Sequence, residues 1–187
     1  MDAGALGRHY LEDVALTFRK QKKLADAALV QVDDVAFFRA PDAESNSLAL
    51  VVKHVAGNQR SRWRDFLSSD GEKPDRNRDT EFEVADSDSR AALMARWEEG
   101  WRLLFEAIAG LAPEDLLREV TVRGEAHSVL QAIHRQLAHY AQHVGQIVFL
   151  AKHWAGADWK TLSIPRGRSK QFEVARDGGV YLPKERG

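Results

Sequence analysis

The sequence predicts an all-α protein built as an antiparallel four-helix bundle. Four long segments repeat apolar residues at helical spacing, capping and helix-breaking residues separate them, and the longest separation is one extended crossover after the second segment. The chain has 187 residues, of which 44% are hydrophobic and 29% charged, as is typical of one folded domain with a substantial core. We therefore expect a single domain over residues 1–187.

The first two helices are predicted in the N-terminal third of the chain. Apolar residues recur at helical spacing from residue 5 to about residue 32, which indicates a long amphipathic helix. Residues 33–41 then form a short irregular passage that ends at a proline. The serine and asparagine side chains of residues 45–47 can cap a second helix that runs to about Leu67.

A long crossover is predicted between the second and third helices. Residues 70–88 contain eight acidic and three basic side chains, a local charge of −5, and almost no aliphatic residue. This composition favours a solvent-exposed connection. A third helix follows from about residue 89 to Gly110, where the glycine can end it.

The C-terminal half is predicted to hold a small hairpin, the fourth helix and a tail. Alternating β-branched residues and a turn glycine over residues 119–125 predict the hairpin. The fourth helix begins at residue 127 or 128 and keeps its apolar period to about residue 155. From about residue 159 the chain carries two prolines and an excess of basic side chains, so we expect an irregular tail.

Composition limits the classes of partner and of chemistry. The formal net charge of −1 offers no positive excess for nucleic acid or an anionic membrane, so we expect neither as a partner. No apolar stretch approaches the roughly 18 residues of a membrane span, and the N-terminal segment is charged, so we expect a cytoplasmic location. The absence of cysteine leaves His, Asp and Glu as metal ligands and removes any thiol nucleophile of the chain itself.

Three histidines are the candidate metal ligands. His139 and His143 are four residues apart and lie on one face of the fourth helix, where both can bind one metal ion. His54 lies among valines of the second helix and should point toward the core, where an unpaired imidazole would be costly. The simplest joint solution is a three-histidine site with open coordination positions for water or substrate. The spacing alone also fits histidines that merely hydrogen-bond carboxylates.

Other polar residues on these helices have weaker assignments. Asn58 and Gln146 share helix faces with the three histidines, so they are candidates to orient water or substrate. Helical geometry spreads Arg60, Arg62 and Arg64 around the second helix, which favours a solvated face with local salt bridges over a nucleic-acid patch. The remaining histidines are interpreted as surface or packing residues: His9, His127, His134 and His153.

Two sets of residues match a known family. The first is His54 followed by His139-x-x-x-His143-x-Gly145-Gln146. The second consists of longer stretches spread over most of the chain: Glu44-Ser45-Asn46-Ser47, Val52-Lys53-His54-Val55-Ala56-Gly57-Asn58, Arg60-Ser61-Arg62-Trp63, Asp70-Gly71-Glu72-Lys73-Pro74 and Ser163-Ile164-Pro165-Arg166-Gly167. The first set resembles the DinB-like (DinB/YfiT) metal-binding superfamily, and the second resembles an uncharacterised bacterial branch of it.

This resemblance implies a function as well as a fold. It implies a four-helix bundle, a homodimer, and a divalent metal held by His54, His139 and His143. Neutral imidazole ligands favour zinc or nickel, with iron or manganese as the other candidates. The superfamily includes thiol S-transferases that join bacillithiol, mycothiol or glutathione to an electrophile, so the resemblance implies a small-molecule substrate and a low-molecular-weight thiol. In that chemistry the metal binds the thiol and favours its thiolate. A metal-dependent hydrolase and a non-catalytic metal- or small-molecule-binding stress-response protein stay open as alternatives.

Overall fold

Five α-helices make up most of the structure. The computed structural model describes residues 2–173 and 182–183, and helix accounts for 64% of the structure. The predicted all-α class is confirmed. The helices are α1 (Ala3–Leu29), α2 (Asp34–Phe38), α3 (Leu48–Trp63), α4 (Arg90–Ala109) and α5 (Val129–Ala155). Short 3₁₀ turns cover Asp79–Phe82, Pro113–Leu117, Gly156–Asp158 and Ser169–Gln171.

Serine side chains begin the last three helices, α3, α4 and α5. The hydroxyls of Ser47, Ser89 and Ser128 each accept a hydrogen bond from the backbone N–H three residues later, which satisfies a donor that the helix leaves free. Helix α3 ends at Trp63, four residues before the predicted end. The backbone leaves the helix at Arg64, whose ψ of 126° is extended, and the next residue, Asp65, has a φ of 51° in the left-handed region, so the helix cannot continue.

The passage between α1 and α3 is more regular than predicted. Residues 33–41 were expected to be irregular, but they contain the five-residue helix α2. The carboxylate of Asp33 accepts a hydrogen bond from the N–H of Ala36 and so caps this helix. Phe37 is fully buried, and the guanidinium of Arg90 lies 5.1 Å from the centre of its ring. Burial of this one aromatic residue fixes the short helix against the core.

The core lies between the four long helices. Helix α1 packs against α5 and α4, and α3 packs against α4 and α5. Trp97 and Trp101 of α4 are fully buried, as their four-residue spacing predicts. An aromatic side chain buries on the order of 150–250 Å², worth about 4–6 kcal/mol of transfer free energy, so this cluster is a main source of stability. Helices α3 and α4 approach closely at Gly100, where a Cβ would lie 2.4 Å from Oε1 of Gln59.

The predicted hairpin is present before α5. Strands β1 (Glu119–Val122) and β2 (Glu125–Ser128) pair in antiparallel fashion. The two turn residues, Arg123 and Gly124, have φ values of 58° and 75°, which is the backbone of a type I′ turn. Both turn N–H groups donate to the carboxylate of Asp70, at 2.9 Å each. The hairpin tip is therefore attached to the crossover between α3 and α4.

The crossover is not uniformly solvent-exposed, in contrast to the prediction from its charge. Lys73, Glu81 and Asp88 are buried. The hydroxyl of Ser61 donates to the carbonyl of Gly71 at 2.8 Å and accepts from the N–H of Lys73 at 3.0 Å, which holds the crossover against α3. Charged groups are buried here because each finds a partner of opposite charge or a backbone carbonyl.

The arginine at position 62 is likewise buried rather than solvated. Its side chain donates to the carbonyl of Gly71 and forms an ion pair with Glu72 at 2.9 Å. Arg60 and Arg64 conform to the predicted surface salt bridges, since both pair with Asp75. The crossover backbone covers the α3 face that carries Arg62, which the helix pattern alone does not indicate.

The tail from residue 159 is only partly irregular. Strands β3 (Phe172–Glu173) and β4 (Leu182–Pro183) pair in antiparallel fashion, so an extended backbone finds hydrogen-bond partners there without a helix. The rest of the predicted irregular tail, residues 174–181 and 184–187, lies outside the described residues. Among the helices of the described part, none combines the length and hydropathy that a membrane span requires.

Candidate metal centre

Helices α3 and α5 bring three histidine side chains to one point. Nε2 of His54 lies 3.3 Å from Nε2 of His139, and Nε2 of His143 lies 3.0 Å from the same atom. One nitrogen from each ring falls within 4.8 Å of the other two. The structure therefore brings together all three histidines that the sequence analysis selects, and this set could hold a metal ion.

The positions of the histidines along α3 and α5 determine where their rings point. His54 stands on the buried face of α3, where the valines beside it direct the ring into the protein, and only 4% of the residue is exposed. His139 and His143 are one turn apart on α5, and their ring centres lie 4.5 Å apart. Their side chains are partly exposed. The site is therefore closed on the α3 side and accessible from the α5 side.

A carboxylate from the crossover orients the ring of His54. Nδ1 of His54 donates to Oε2 of Glu81 at 2.8 Å, and the guanidinium of Arg76 binds both oxygens of Glu81, at 2.8 and 2.9 Å. Burial raises the pKa of Glu81, but the hydrogen bonds from His54 and Arg76 outweigh it, so the net shift is downward. The ionised carboxylate can only accept. Nδ1 of His54 therefore carries a proton, and in the neutral ring Nε2 presents a lone pair to the other two rings.

A glycine in α3 allows this carboxylate to approach. A Cβ at Gly57 would lie 2.3 Å from Oε1 of Glu81 and 2.8 Å from its carboxyl carbon. Gly57 follows His54 by three residues and so lies on the same helix face. The absence of a side chain at this position gives Glu81 room between the helix and Arg76.

The two histidines of α5 are neutral and differ in their outer contacts. Burial, followed by the neighbouring rings of His143 and His54, lowers the pKa of His139 to about 3. Burial also lowers the pKa of His143, although its hydrogen bond to Gln146 opposes this shift. Nδ1 of His143 lies 2.7 Å from Oε1 of Gln146 and donates to it. Nδ1 of His139 is buried, and among the described residues it has no hydrogen-bond partner.

The donor set fits a divalent cation. His54 and His143 both use Nδ1 as a donor, so both direct an Nε2 lone pair at His139, whose Nε2 can donate to only one of them. At least one of these three ring nitrogens therefore has no partner within the cluster unless a cation lies between the rings. A cation about 2.0–2.1 Å from tetrahedral ligands sets nitrogens about 3.3–3.4 Å apart, close to the observed 3.3 and 3.0 Å. These distances are those of zinc, and nickel and other imidazole-binding ions also prefer neutral nitrogen donors.

A cavity lies beside the histidines. Its volume is about 430 Å³, and its lining includes His54, His139, Asn58 and Gln142. A small molecule of this size can therefore reach the open side of the three-histidine cluster.

Asn58 and Gln146, the candidates to orient water or substrate, both form hydrogen bonds with side chains near the site. Asn58 is buried, and its Oδ1 accepts a hydrogen bond from the hydroxyl of Tyr140 at 3.0 Å, so part of its polar capacity is already used. Oε1 of Gln146 accepts the hydrogen bond from His143, so Gln146 orients a ligand ring instead of pointing into the cavity. The remaining histidines lie elsewhere: His134 packs edge-on to the ring of Tyr10, and His153 lies beside Trp154.

Sequence reasoning missed Glu81 and Arg76. Both lie in the crossover, whose many charges make any single carboxylate look solvent-exposed. Two signals could have selected them: Gly57, which marks a close approach on the face of His54, and Phe82, an aromatic residue in an otherwise polar segment. The ring of Phe82 lies 4.9 Å from that of His54 and covers its outer side.

A family model matches residues 5–168 of the chain, a range that holds every residue of the site. The chain belongs to the family described as "Protein of unknown function (DUF1572)". DUF1572 is part of the DinB-like clan, so the superfamily expected from the histidine pattern is confirmed at the level of the clan. No curated protein sequence matches this DUF1572 member.

Proposed function

We propose that this DUF1572 protein is a divalent-metal-dependent enzyme that joins a low-molecular-weight thiol to an electrophile. His54, His139 and His143 are the proposed ligands. The observation that carries the proposal is the convergence of three Nε2 atoms, two of which have their lone pair fixed by a partner on Nδ1. Three neutral imidazoles favour zinc or nickel, and iron or manganese are weaker alternatives.

The proposal includes the DinB-like four-helix bundle, with α1, α3, α4 and α5 as its helices. The packing of α1 with α5 and α4, and of α3 with α4 and α5, supports this arrangement. In such bundles, side chains on facing helices form metal sites in the core. A homodimer is also expected for the superfamily, and light scattering of the purified protein measures it directly.

A bound divalent ion would lower the pKa of a substrate thiol and hold the sulfur as a nucleophile. The residues of the chain supply the frame for this chemistry. Glu81 and Arg76 fix the ring of His54, and Gln146 fixes that of His143, so two of the three ligands are pre-oriented. The thiol must come from a substrate, since the chain has no cysteine.

Hydrolysis by an activated water is less well supported. That reaction usually needs a carboxylate or imidazole that is free to take a proton near the metal. None of the described residues that line the cavity is a carboxylate. Glu81, the carboxylate that contacts the site, is already bound by His54 and Arg76. The surroundings therefore favour a reaction in which the substrate itself supplies the nucleophile.

The experiment measures metal content and then conjugation. Purified protein is assayed with bacillithiol, mycothiol and glutathione against a chlorinated aromatic electrophile, with and without a chelator. In the expected reaction a sulfur–carbon bond forms, the carbon–chlorine bond breaks, chloride leaves and the thiol proton passes to solvent. Conjugation that a chelator abolishes and metal restores supports the proposal. Stoichiometric metal without conjugation of any thiol would overturn the transferase activity and leave a metal-binding protein, whereas chelator-sensitive ester cleavage alone would indicate a hydrolase.

A further inference from the structure

The cavity beside the histidines is lined by an unusual number of arginines. Four separate segments contribute them: α3, the crossover, the hairpin turn and α5. The cavity arginines, as we call this set, are Arg62, Arg76, Arg78, Arg123 and Arg135. The other described lining residues are histidine or uncharged. The whole chain has a net charge of only −1, so this concentration of positive charge is local.

Nearby carboxylates compensate only part of this charge. Glu72 forms ion pairs with Arg62, Arg76 and Arg123, at 2.9, 3.5 and 3.1 Å. Glu81 binds Arg76 a second time. Even with the carboxylate of Asp70, which binds the backbone of the hairpin turn, three carboxylates face five guanidinium groups, so positive charge predominates around the cavity. Like charges this close repel one another, and the low-dielectric walls of a cavity strengthen the field.

Three of the cavity arginines are available to a ligand, two of them completely and one in part. Arg78 and Arg135 are exposed, and neither guanidinium group forms a hydrogen bond or an ion pair with any described residue. Arg78 lies over the ring of Phe82, which itself packs on His54. Nε of Arg123 donates to Glu72, which leaves its two terminal nitrogens for a ligand. Its backbone N–H donates to the carboxylate of Asp70. The terminal nitrogens of Arg62 and the guanidinium of Arg76, in contrast, already bind groups of the crossover.

We propose that this cavity binds a small molecule through an anionic oxygen group, a carboxylate or a phosphate. Arg78, Arg123 and Arg135 bind the anion, because the planar guanidinium matches the oxygens of either group. The rest of the molecule then extends to the open side of His54 and His139, which line the same cavity. This inference rests on the proposed function in one respect: it identifies the bound molecule as the acidic thiol or the acidic electrophile of that reaction. A cavity of about 430 Å³ fits a small molecule rather than a polymer.

The test measures binding of inorganic phosphate and succinate to metal-loaded protein by calorimetry, with succinamide as the uncharged analogue. We expect phosphate or succinate to bind and succinamide not to bind, with affinity that falls as salt rises. Tighter phosphate binding indicates a phosphorylated substrate, and tighter succinate binding indicates a carboxylic acid. If both anions bind no better than succinamide, the inference is wrong.

Two variants locate the anion. Arg135→Gln should weaken anion binding about tenfold, as loss of one charge-assisted hydrogen-bonding group predicts. Lys152→Gln is the matched control, because it removes one exposed positive charge from the same helix about 25 Å away. Equal affinities of the two variants would overturn the inference, since an anion held by the metal alone would not respond to Arg135.

Metal content separates this inference from the proposed function. Both variants keep the three histidines and should keep the metal of the parent protein. Metal-loaded protein without arginine-dependent anion binding contradicts only the inference. Protein that takes up no metal but binds anions through Arg135 contradicts the proposed function and supports the inference.

Discussion

Nδ1 of His54 lies 2.8 Å from Oε2 of Glu81, although the two residues are 27 positions apart. This contact joins a helix that faces the core to a crossover that folds back over it. It fixes which nitrogen of His54 carries the proton and therefore which nitrogen faces His139. The metal proposal depends on this orientation as much as on the three ligands themselves.

Glu81→Gln should weaken metal binding without unfolding the protein. The amide keeps the size of the side chain but loses the charge that holds the proton on Nδ1 of His54 and that binds Arg76. Loss of a partner that orients a ligand typically costs about 10–100-fold in metal affinity. Competition with a fluorescent chelator measures this affinity. Glu83→Gln, an exposed carboxylate two residues away, is the control and should match the parent; equal affinity in the two variants would contradict the role of Glu81.

Gly57→Ala should act on the same contact from the helix side. The new Cβ would lie 2.3 Å from an oxygen of Glu81, which two bonds from Arg76 hold in place, so the carboxylate must leave His54. We expect about tenfold weaker metal binding, at the lower end of such effects. In Gly145→Ala, the new Cβ meets nothing within 4 Å. That control should keep its metal affinity and gain about 1 kcal/mol in the free energy of unfolding, measured in urea.

Ser61→Ala should loosen the crossover. Its hydroxyl is buried and serves both the carbonyl of Gly71 and the N–H of Lys73, and alanine would leave both groups without this partner. We expect the free energy of unfolding to fall by about 1–3 kcal/mol. Limited proteolysis should then cut within residues 70–88 faster than in the parent. Ser68→Ala, at an exposed hydroxyl, is the control, and equal cleavage of the two variants would show that Ser61 does not hold the segment.

The long helices and the three histidines follow from local patterns. Apolar periodicity places His139 and His143 on one face of α5, and the valines around His54 direct it inward. A capping serine and a turn glycine likewise mark the start of α5 and the hairpin before it. These features depend on residues a few positions apart, so the sequence alone predicts them.

The parts that were not predicted depend on contacts between distant segments. Glu81 and Arg76 are buried only because the crossover folds over α3, and nothing in their immediate neighbours separates them from exposed charges. Arg62 is buried by the same fold. Helix α2 has five residues, too few for a helical period, and Phe37 holds it through contacts with the rest of the core. Local pattern therefore predicts the ligands but not the residues that orient them.

The central claim is that three imidazoles bind one ion, and the metal content of His139→Ala tests it most directly. The matched control is His153→Ala, which removes an exposed imidazole from the same helix about 21 Å further along. Both variants and the parent are purified with added zinc or nickel, dialysed, and analysed by elemental mass spectrometry beside circular dichroism. We predict about one ion per chain in the parent and in His153→Ala, and the loss of most metal in His139→Ala with its helical signal retained. Stoichiometric metal in His139→Ala would contradict the account.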